Sequence, residues 1–430
     1  MKLLIFAHTP PPHHGQSYMV QLLLNGLGGD HRREAAGKSS PLGIECYHVN
    51  TRLSKHLEDI GDFRPGKLLL LFWYCLEAIY VRFRHGVRSF YYVPAPGKRS
   101  ALYRDWLVMF LCRPFFKHII LHWHAAGLAK WLETERQIRT RSFTYRWLKN
   151  VDLSIVLSRY NRADAEKLLP RQIRVIGNGI PDPCPDFERS ALPRHRARAA
   201  ARRKLLAGEP LTPADLAQTG GDPRVFRVLF LAHCMREKGL FDAIEAVASA
   251  NQQLARDASP FRMHLTVAGE FIKETERVEF EERIRQPDLQ TPSGEPCVRY
   301  IGFVSGVAKK QAFGESDCFC FPTYYYAESF GLVVLEAMAF GLPIVTSRWR
   351  SLPELFPAGY RGLVGVRAPE EIADRLQAFL LAEAGEAFRE TFLSRFTLAR
   401  HLAALAEAFQ SCEGDGAPVS PPVPATLGSR

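Results

Sequence analysis

Two glutamates, Glu328 and Glu336, lie eight positions apart around a Ser-Phe-Gly turn. An apolar strand-like segment, 318–322, precedes the turn, and a helical stretch, 332–340, follows it. The first N–H groups of a helix lack internal partners and the helix dipole favours negative charge there, so this pattern predicts a phosphate site. A carboxylate one turn inside such a helix can accept hydrogen bonds from a vicinal diol such as ribose. The run therefore indicates a nucleotide site, with diphosphate on the turn, ribose on Glu336, and Glu328 beside the group attached to the phosphate.

A lysine elsewhere in the chain has a position that suits the same ligand. Lys238 follows a predicted strand, 227–232, and precedes a predicted helix, 240–250. A lysine at the carboxyl end of such a strand can reach a phosphate in the crevice. The simpler alternative is a solvated lysine at a helix entry.

The amino-terminal half offers a glycine and several histidines. Gly15 lies where the first strand meets its helix, and a glycine there permits close backbone approach. His122 and His124 end an apolar strand. No acidic residue lies within a helical turn of them, so we predict no metal site. The alternative for these histidines is a cluster that closes the core, and His13 and His14 read as solvated loop residues.

Several signatures of other protein classes are missing from the sequence. No Asp-x-Asp pair and no Gly-x-x-x-x-Gly-Lys-Ser/Thr loop occurs. The nine cysteines show no Cys-x-x-Cys spacing, so we expect small core residues in a reducing compartment. We therefore expect no cofactor and no metal, and a site in which the helix dipole and Lys238 supply the positive charge.

These segments together resemble retaining glycosyltransferases of family 4 (glycosyl transferases group 1), which have the GT-B fold of two facing Rossmann-like domains. The resemblance is carried by the Glu328 to Glu336 run and by four further segments: 176–180, 237–239, 301–304 and 317–322. It covers nearly the whole chain and is strongest from about Arg227 to Leu355.

The resemblance implies a role for each candidate residue. Glu328, Lys238 and His124 would be catalytic, with Glu328 and His124 touching the donor sugar and Lys238 neutralising the leaving diphosphate. The implied donor-binding residues are Gly15, His233, Arg236, Val304, Ser329, Phe330, Gly331, Leu332 and Glu336. Among these, Glu336 would hold the ribose, the N–H groups of Phe330 to Leu332 the diphosphate, and the backbone near Val304 the base.

The chain departs from the family pattern at three places. Gln16 follows Gly15 where the family often has a second glycine. His233 stands where the family has an arginine, so either His233 or Arg236 could replace it, or the contact is absent. Trp349 and Arg350 stand near the family's Gly-Gly, ahead of Pro353-Glu354.

The alternation of predicted strands and helices favours parallel α/β layers. We predict an amino-terminal Rossmann-like acceptor domain over 1–180 and a linker with one exposed helix over 181–223. A nucleotide-sugar domain is expected over 224–385. A long helix, 386–412, follows it, and the resemblance implies that this helix packs back on the first domain. Residues 413–430 are expected to form a disordered tail.

Net charge is concentrated in one part of the chain. Residues 61–150 hold 16 Lys and Arg against 5 Asp and Glu, and five of the six tryptophans, in a chain of net charge +11. Basic and aromatic residues together suit an anionic membrane surface. An aromatic core with a solvated basic rim is the alternative, and nucleic acid is disfavoured. The first seven residues are too short for a signal peptide, and no apolar run is long enough to span a membrane.

We therefore predict a metal-independent, retaining hexosyltransferase-type enzyme that moves a sugar from a nucleoside diphosphate sugar to a glycan or lipid-linked acceptor of a cell-envelope polysaccharide. We expect it in the cytoplasm, peripheral on the inner face of the cell membrane. The alternatives are a non-catalytic sugar-nucleotide or lipid-binding protein of the same fold, and a GT-B epimerase or phosphorylase.

Overall fold

A computed structural model describes residues 1–11, 15–33, 42–53, 65–95, 97–135, 137–291, 294–382 and 385–413. His13, His14 and all but the first residue of the predicted tail lie outside these ranges. Within them, strands and helices alternate and build two six-stranded sheets in which every strand pair is parallel. The predicted α/β class is therefore confirmed.

The first sheet comes from the amino-terminal half. Its strands are β1 (Lys2–Phe6), β2 (Glu45–Val49), β3 (Ser89–Tyr92), β4 (His118–Trp123), β5 (Leu153–Val156) and β6 (Gln172–Val175). Their order is β2-β1-β3-β4-β5-β6, so the direction of winding reverses between β1 and β3. In open α/β sheets, ligands bind outside the carboxyl ends of the strands at such a reversal.

Helices cover both faces of this sheet. They are α1 (Gly15–Gly26), α2 (Pro65–His85), α3 (Arg99–Cys112), α4 (Leu128–Thr134), α5 (Ile138–Leu148) and α6 (Arg162–Glu166). Helices α2 and α3 pack on one face through residues such as Cys75 and Met109. Helix α1 packs on the other through Val20 and Leu23. Alternate side chains of β1 pack on opposite faces of the sheet, Leu4 against α2 and α3 and Leu3 against α1. This is expected for a strand buried on both faces.

The second sheet has the Rossmann strand order. Its strands are β7 (Val225–Leu231), β8 (Arg262–Ala268), β9 (Val298–Tyr300), β10 (Cys318–Phe321), β11 (Ile344–Ser347) and β12 (Leu363–Val364). The order β12-β11-β10-β7-β8-β9 reverses between β7 and β10. The accompanying helices are α9 (Leu240–Arg256), α10 (Glu274–Arg283), α11 (Gly306–Gly314), α12 (Leu332–Ala339) and α13 (Pro369–Ala378).

The stretch predicted as a linker with one exposed helix is instead folded onto the second sheet. It contains α7 (Ala191–Leu206) and α8 (Pro213–Thr219). Arg198 and Arg202 of α7 are buried and bind Asp317, at 2.5 Å and 2.8 Å. These two arginines lower the pKa of Asp317 against the effect of its burial. A buried charge is tolerated when it is paired in this way, which is why an arginine-rich helix can lie against the core.

The predicted long helix at the carboxyl end is two helices, α14 (Glu386–Arg395) and α15 (Leu398–Gln410). The backbone between them pairs with Ile180, whose N–H donates to Phe396 and whose carbonyl accepts from Leu398. These bonds take the place of helical ones, so the helix is interrupted there. Helix α15 then packs on the first sheet, where the ring of Phe409 lies 5.8 Å from that of Tyr91.

The cysteines occupy the positions expected of core residues. All nine are free, and eight are buried. Among the described residues, no group of three histidine, cysteine or acidic side chains is arranged to hold a metal ion. Of the helices in the described ranges, none has the length and apolar content needed to span a bilayer.

Candidate active site

The carboxyl ends of β7 and β10 lie side by side at the winding reversal of the second sheet. After β7 the chain makes a short 3-10 turn, Arg236–Lys238, and after β10 a loop leads to α12. Gly239 follows the turn with φ 82°, and a Cβ there would lie 2.4 Å from the carbonyl oxygen of Pro322. Only glycine suits this conformation and this approach. The turn is therefore held directly against the loop after β10.

Lys238 and Glu328 form an ion pair at this edge of the sheet. Lys238 Nζ donates to Glu328 Oε2 at 2.7 Å, and the two side chains are 15% and 10% exposed. The ammonium group also lies 4.6 Å from the ring centre of Tyr325. Because little water reaches the pair, its charges are weakly screened. Two residues predicted from separate motifs thus meet at one point.

The amino end of α12 lies in the same place. Gly331 is its N-cap residue with φ 74°, a conformation that favours glycine, and it has no side chain with which to cap the first N–H groups. Gly15 begins α1 on the opposite side of the cleft, and a Cβ on it would lie 3.6 Å from Leu332 Cδ1. The amino ends of two helices, each carrying partial positive charge, therefore converge from the two domains.

Glu336 lies in the second turn of α12 and is 9% exposed. Lys309 on α11 donates to its Oε1 at 2.5 Å. Burial raises the pKa of Glu336, while the charge and hydrogen bond of Lys309 act to lower it. Tyr18 of α1 approaches from the other domain. Its pKa is raised mainly by burial and further by the charge of Glu336. Lys309 is a residue of the site that the sequence motifs do not single out.

Ser329 and His124 connect the two domains beside this site. The Ser329 hydroxyl donates to the backbone carbonyl of His124. The His124 ring lies 4.2 Å from that of His122, which is buried and bonded to the Tyr91 hydroxyl at 2.7 Å. The structure thus separates the two histidines: His124 is half-buried at the cleft, whereas His122 belongs to the core cluster.

His233 and Arg236 were the two candidates for the missing arginine, and they point to different surroundings. His233 is half-buried. Burial is the larger cause that lowers its pKa, and the nearby charge of Lys238 lowers it further. Arg236 instead pairs with Glu279 on α10, and its guanidinium lies 4.3 Å from the ring centre of Phe241. The Arg236 side chain is therefore engaged away from the Lys238–Glu328 pair, and the structure does not bring it into the site.

Phe330 and Val304 contribute to packing around the site. The Phe330 ring is buried against Phe396 and fills the space above Gly177, where a Cβ would lie 2.9 Å from it. Val304 is partly buried and packs against the same core cluster. The Phe330 side chain is therefore withdrawn into the core, whereas Val304 remains partly exposed.

The residues that replace the family's glycines lie at the cleft. Trp349 Nε1 donates to the carbonyl of Tyr325 at 2.9 Å, which ties it to the loop after β10. Arg350 lies beside Gly127 of the first domain, with its Nη1 3.5 Å from where a Cβ would be. Glu354 accepts hydrogen bonds from the backbone N–H groups of Arg159 and Tyr160, at 2.8 Å and 2.7 Å. Arg350 and Glu354 thus contact the first domain from the second.

Part of the chain, centred on the second domain, matches a known family model. Residues 214–392 match the family model described as "Glycosyl transferases group 1". The amylovoran biosynthesis glycosyltransferase AmsK of Erwinia amylovora is 30% identical over 197 residues, which are 42% of this chain and 44% of that protein. The O-antigen chain mannosyltransferase B of Escherichia coli is 37% identical over 87 residues, 20% of this chain and 21% of that protein. The match therefore spans less than half the length of these curated relatives.

Solved structures resemble the whole fold. Anabaena Alr3699/HepE, in complex with UDP and glucose, superposes with a TM-score of 0.59 at 16% identity over 95% of this chain and 99% of that one. Sucrose-phosphate synthase from Thermosynechococcus elongatus gives a TM-score of 0.62 at 18% identity, over 96% and 99% of the two chains. The predicted GT-B architecture of two Rossmann-like domains is confirmed, and residues 214–392 match the glycosyl transferases group 1 family model within it.

Proposed function

We propose that this protein is a retaining glycosyltransferase that moves a sugar from a nucleoside diphosphate sugar to an acceptor. The observation that carries the proposal is the Lys238–Glu328 ion pair beside the uncapped amino end of α12, inside a glycosyl transferases group 1 domain. That arrangement offers positive charge and free N–H groups for a diphosphate, and a carboxylate next to them for the attached sugar.

The proposed donor lies along α12. Its diphosphate accepts hydrogen bonds from the N–H groups of Phe330, Gly331 and Leu332, and Lys238 neutralises the charge that develops as it leaves. Glu336 accepts the ribose hydroxyls, and the bonded Lys309 favours its carboxylate form against the effect of burial, which raises its pKa. A preorganised dipole and a fixed ammonium can stabilise the leaving group without a metal ion, so we propose that neither metal nor cofactor is needed.

The proposed chemistry takes place between the two walls of the cleft. Glu328, released from Lys238 by the incoming diphosphate, would hold hydroxyls of the donor sugar, and His124 would approach the sugar from the first domain. The carbon–oxygen bond to the diphosphate breaks with both electrons going to the phosphate oxygen. The acceptor hydroxyl attacks from the same face and passes its proton to that phosphate. Retention of configuration follows from attack on the face the leaving group departs from.

The acceptor proposal rests on relatives and surface chemistry. The curated relatives include proteins named for amylovoran biosynthesis and for an O-antigen chain. We propose a glycan or lipid-linked acceptor of a cell-envelope polysaccharide, a hexose as the transferred sugar, and membership of family 4. The proposed location is the cytoplasm, peripheral on the inner face of the cell membrane.

A donor screen tests the proposal. We expect one nucleoside diphosphate sugar to raise the melting temperature, because a ligand that binds only the folded state stabilises it. With that donor, a chelator and a crude lipid-linked glycan fraction, we expect transfer, and nuclear magnetic resonance of the product should show the donor's anomeric configuration. Binding without donor consumption would favour a non-catalytic member of the fold. Inverted product, or loss of activity on chelation, would overturn the corresponding part of the proposal.

A further inference from the structure

We infer that the outer face formed by α2, α3 and α5 docks on an anionic lipid bilayer. This face lies on the first domain, on the opposite side of its sheet from α1 and α15. The inference does not depend on the proposed nucleotide site, which lies at the second sheet.

Helix α2 presents an apolar stripe to solvent. Five of its residues follow one another at intervals of four and three positions, which places them on one side of a helix. These residues, with their exposed fractions, are Leu69 (74%), Trp73 (66%), Leu76 (42%), Tyr80 (63%) and Phe83 (65%). The other side of the helix packs into the core through Leu71, Cys75 and Ala78. An amphipathic helix normally buries its apolar side, so a second apolar side left in water indicates a surface that binds something.

Aromatic side chains extend this stripe onto the neighbouring helices. The Phe83 ring lies 5.9 Å from that of Phe115, in the 3-10 turn that follows α3, and Arg82 Nε donates to the Phe115 carbonyl at 2.8 Å. Farther along, the Phe110 ring on α3 lies 5.1 Å from that of Trp147 on α5. Phe110 is 54% and Phe115 40% exposed. Exposed aromatic side chains on neighbouring elements of this face therefore contact one another in pairs.

The charges of this region are one-sided at the surface. Each of the four acids between residues 65 and 150 is already engaged: Glu77 with Arg32, Asp105 with Arg104 and Tyr92, Glu133 with Lys167, and Glu135 with Arg99. The exposed basic side chains of the same region include Arg84, Arg88, Lys117, Arg139 and Arg146. The surface that remains to meet a partner is therefore cationic.

A bilayer fits this combination better than the other candidates. Leucines and aromatic rings can enter the boundary between headgroups and acyl chains while arginine and lysine meet lipid phosphates. A second copy of the chain would bring two cationic surfaces together. Single-stranded nucleic acid would use the rings and the charges but not the exposed leucines.

Flotation with vesicles of phosphatidylcholine, with and without phosphatidylglycerol, tests the inference on the full-length protein. We expect binding to the anionic vesicles that weakens as salt is raised. Trp73→Ser together with Phe83→Ser should lower the partition coefficient by roughly tenfold or more, because each ring loses its transfer into the interface. Leu216→Ser together with Val278→Ser is the matched control, since these apolar residues are exposed on the second domain, and it should bind like the wild type.

Melting temperature and donor binding of each variant, measured without vesicles, separate a docking defect from misfolding and from failure of the nucleotide site. The inference is overturned if the wild type does not float with anionic vesicles at low salt, or if the Trp73/Phe83 variant floats as well as its control. It is also overturned if the wild type forms a concentration-dependent dimer through this surface and the Trp73/Phe83 variant does not. Binding of an oligonucleotide to this surface, without binding of anionic vesicles, would overturn it as well.

Discussion

The two Rossmann-like domains share a parallel six-stranded sheet with a winding reversal, but their charged side chains lie in different places. In the second domain they meet at the carboxyl edge of the sheet, where Lys238 pairs with Glu328 and Lys309 with Glu336. In the first domain the same edge offers Gly15 and the carbonyl of His124. Among its described residues, exposed cations such as Arg84, Arg139 and Arg146 lie on the outer helices.

This difference shows what the fold supplies and what the side chains add. A winding reversal in a parallel sheet creates a crevice in either domain. In the described part of the chain, the second domain lines its crevice with Lys238, Glu328, Lys309 and Glu336, side chains that can balance the charge of a diphosphate and bind sugar hydroxyls. The described part of the first domain brings Gly15 and the backbone carbonyl of His124 to the cleft. The following predictions test this division between the domains.

The largest effect is expected at the ion pair of the second domain. Lys238→Met and Glu328→Gln should each reduce transfer by roughly 100-fold or more, which corresponds to about 2.7 kcal/mol for a charged contact in a closed site. Arg236→Gln is the matched control. Its partner Glu279 is 49% exposed, and such surface pairs contribute little. Initial rates at saturating acceptor measure the effect.

A stability measurement separates catalysis from folding in these variants. Lys238→Met leaves the Glu328 charge buried without its partner, which destabilises the protein. The double variant Lys238→Met/Glu328→Gln removes both charges, so its melting temperature should recover while its activity does not. Transfer rates close to those of the wild type in the double variant would show that the pair is structural only.

A smaller effect is expected for Lys309. Lys309→Met should raise the donor KM roughly tenfold, about 1.4 kcal/mol, with kcat nearly unchanged. The carboxylate form of Glu336 accepts the ribose hydroxyls, so donor binding weakens as pH falls through its pKa. Lys309 lowers that pKa against the effect of burial. Without Lys309, Glu336 protonates at higher pH, and donor binding should weaken at higher pH than in the wild type.

Lys310→Met is the control for Lys309, because Lys310 is its exposed neighbour on the same helix. The pH profile of KM should not move in that variant. If the two lysine variants shift the profile equally, the effect is a general change in surface charge and not a contact with Glu336.

The smallest effect on activity at neutral pH is expected from two buried histidines at the first sheet, His122 on β4 and His401 on α15. Burial lowers the pKa of His401 from 6.5 to about 4, and it lowers that of His122 well below its usual value. Both are neutral in the folded protein and bind protons more readily when unfolded. Their contribution to stability is therefore present above pH 6.5 and is lost as pH falls towards 4. Urea unfolding across this range measures it.

His401→Asn tests this assignment. Nδ1 of His401 donates to the carbonyl of Gly177 at 2.8 Å, and an asparagine amide can replace that donor without titrating. The free energy of unfolding of this variant should fall less between pH 6.5 and 4 than that of the wild type. An unchanged slope would assign the acid sensitivity to other groups.

The sequence was sufficient to predict those parts of the second domain whose local residue pattern alone determines the element and its position at the site. The strand at 318–321 and the helix that follows it are set by apolar periodicity and by Gly331. Lys238 and Glu328 could be brought together because each follows a strand whose carboxyl end lies at the winding reversal.

Lys309 and Arg236 show where such reasoning ends. Lys309 has a lysine beside it on a helix with no distinctive motif, so its type alone does not separate it from Lys310. The signal that could have found Lys309 is its place in the first turn of α11, the helix that follows β9. Helices that follow strands in this fold begin at the carboxyl edge of the sheet, where the ligand binds. Arg236 lies two positions from Lys238 on a 3-10 turn of three residues per turn, so the two side chains leave in different directions. That turn was not predicted.

The segment 181–223 shows a different limit. Its arginine-rich helix α7 has little apolar character, which favoured an exposed position. Asp317 lies 119 positions from Arg198, and their pairing cannot be seen in a local pattern. Strands β6 and β12 were not predicted either, because both are short and lie at the edges of the sheets.

A structure of the protein in complex with the nucleoside diphosphate selected by the donor screen tests the central claim most directly. We predict phosphate oxygens within hydrogen-bond distance of the N–H groups of Gly331 and Leu332, with Lys238 turned from Glu328 towards the diphosphate. The ribose hydroxyls should lie on Glu336. A nucleotide bound elsewhere, with the Lys238–Glu328 pair intact and the amino end of α12 unoccupied, would contradict the account.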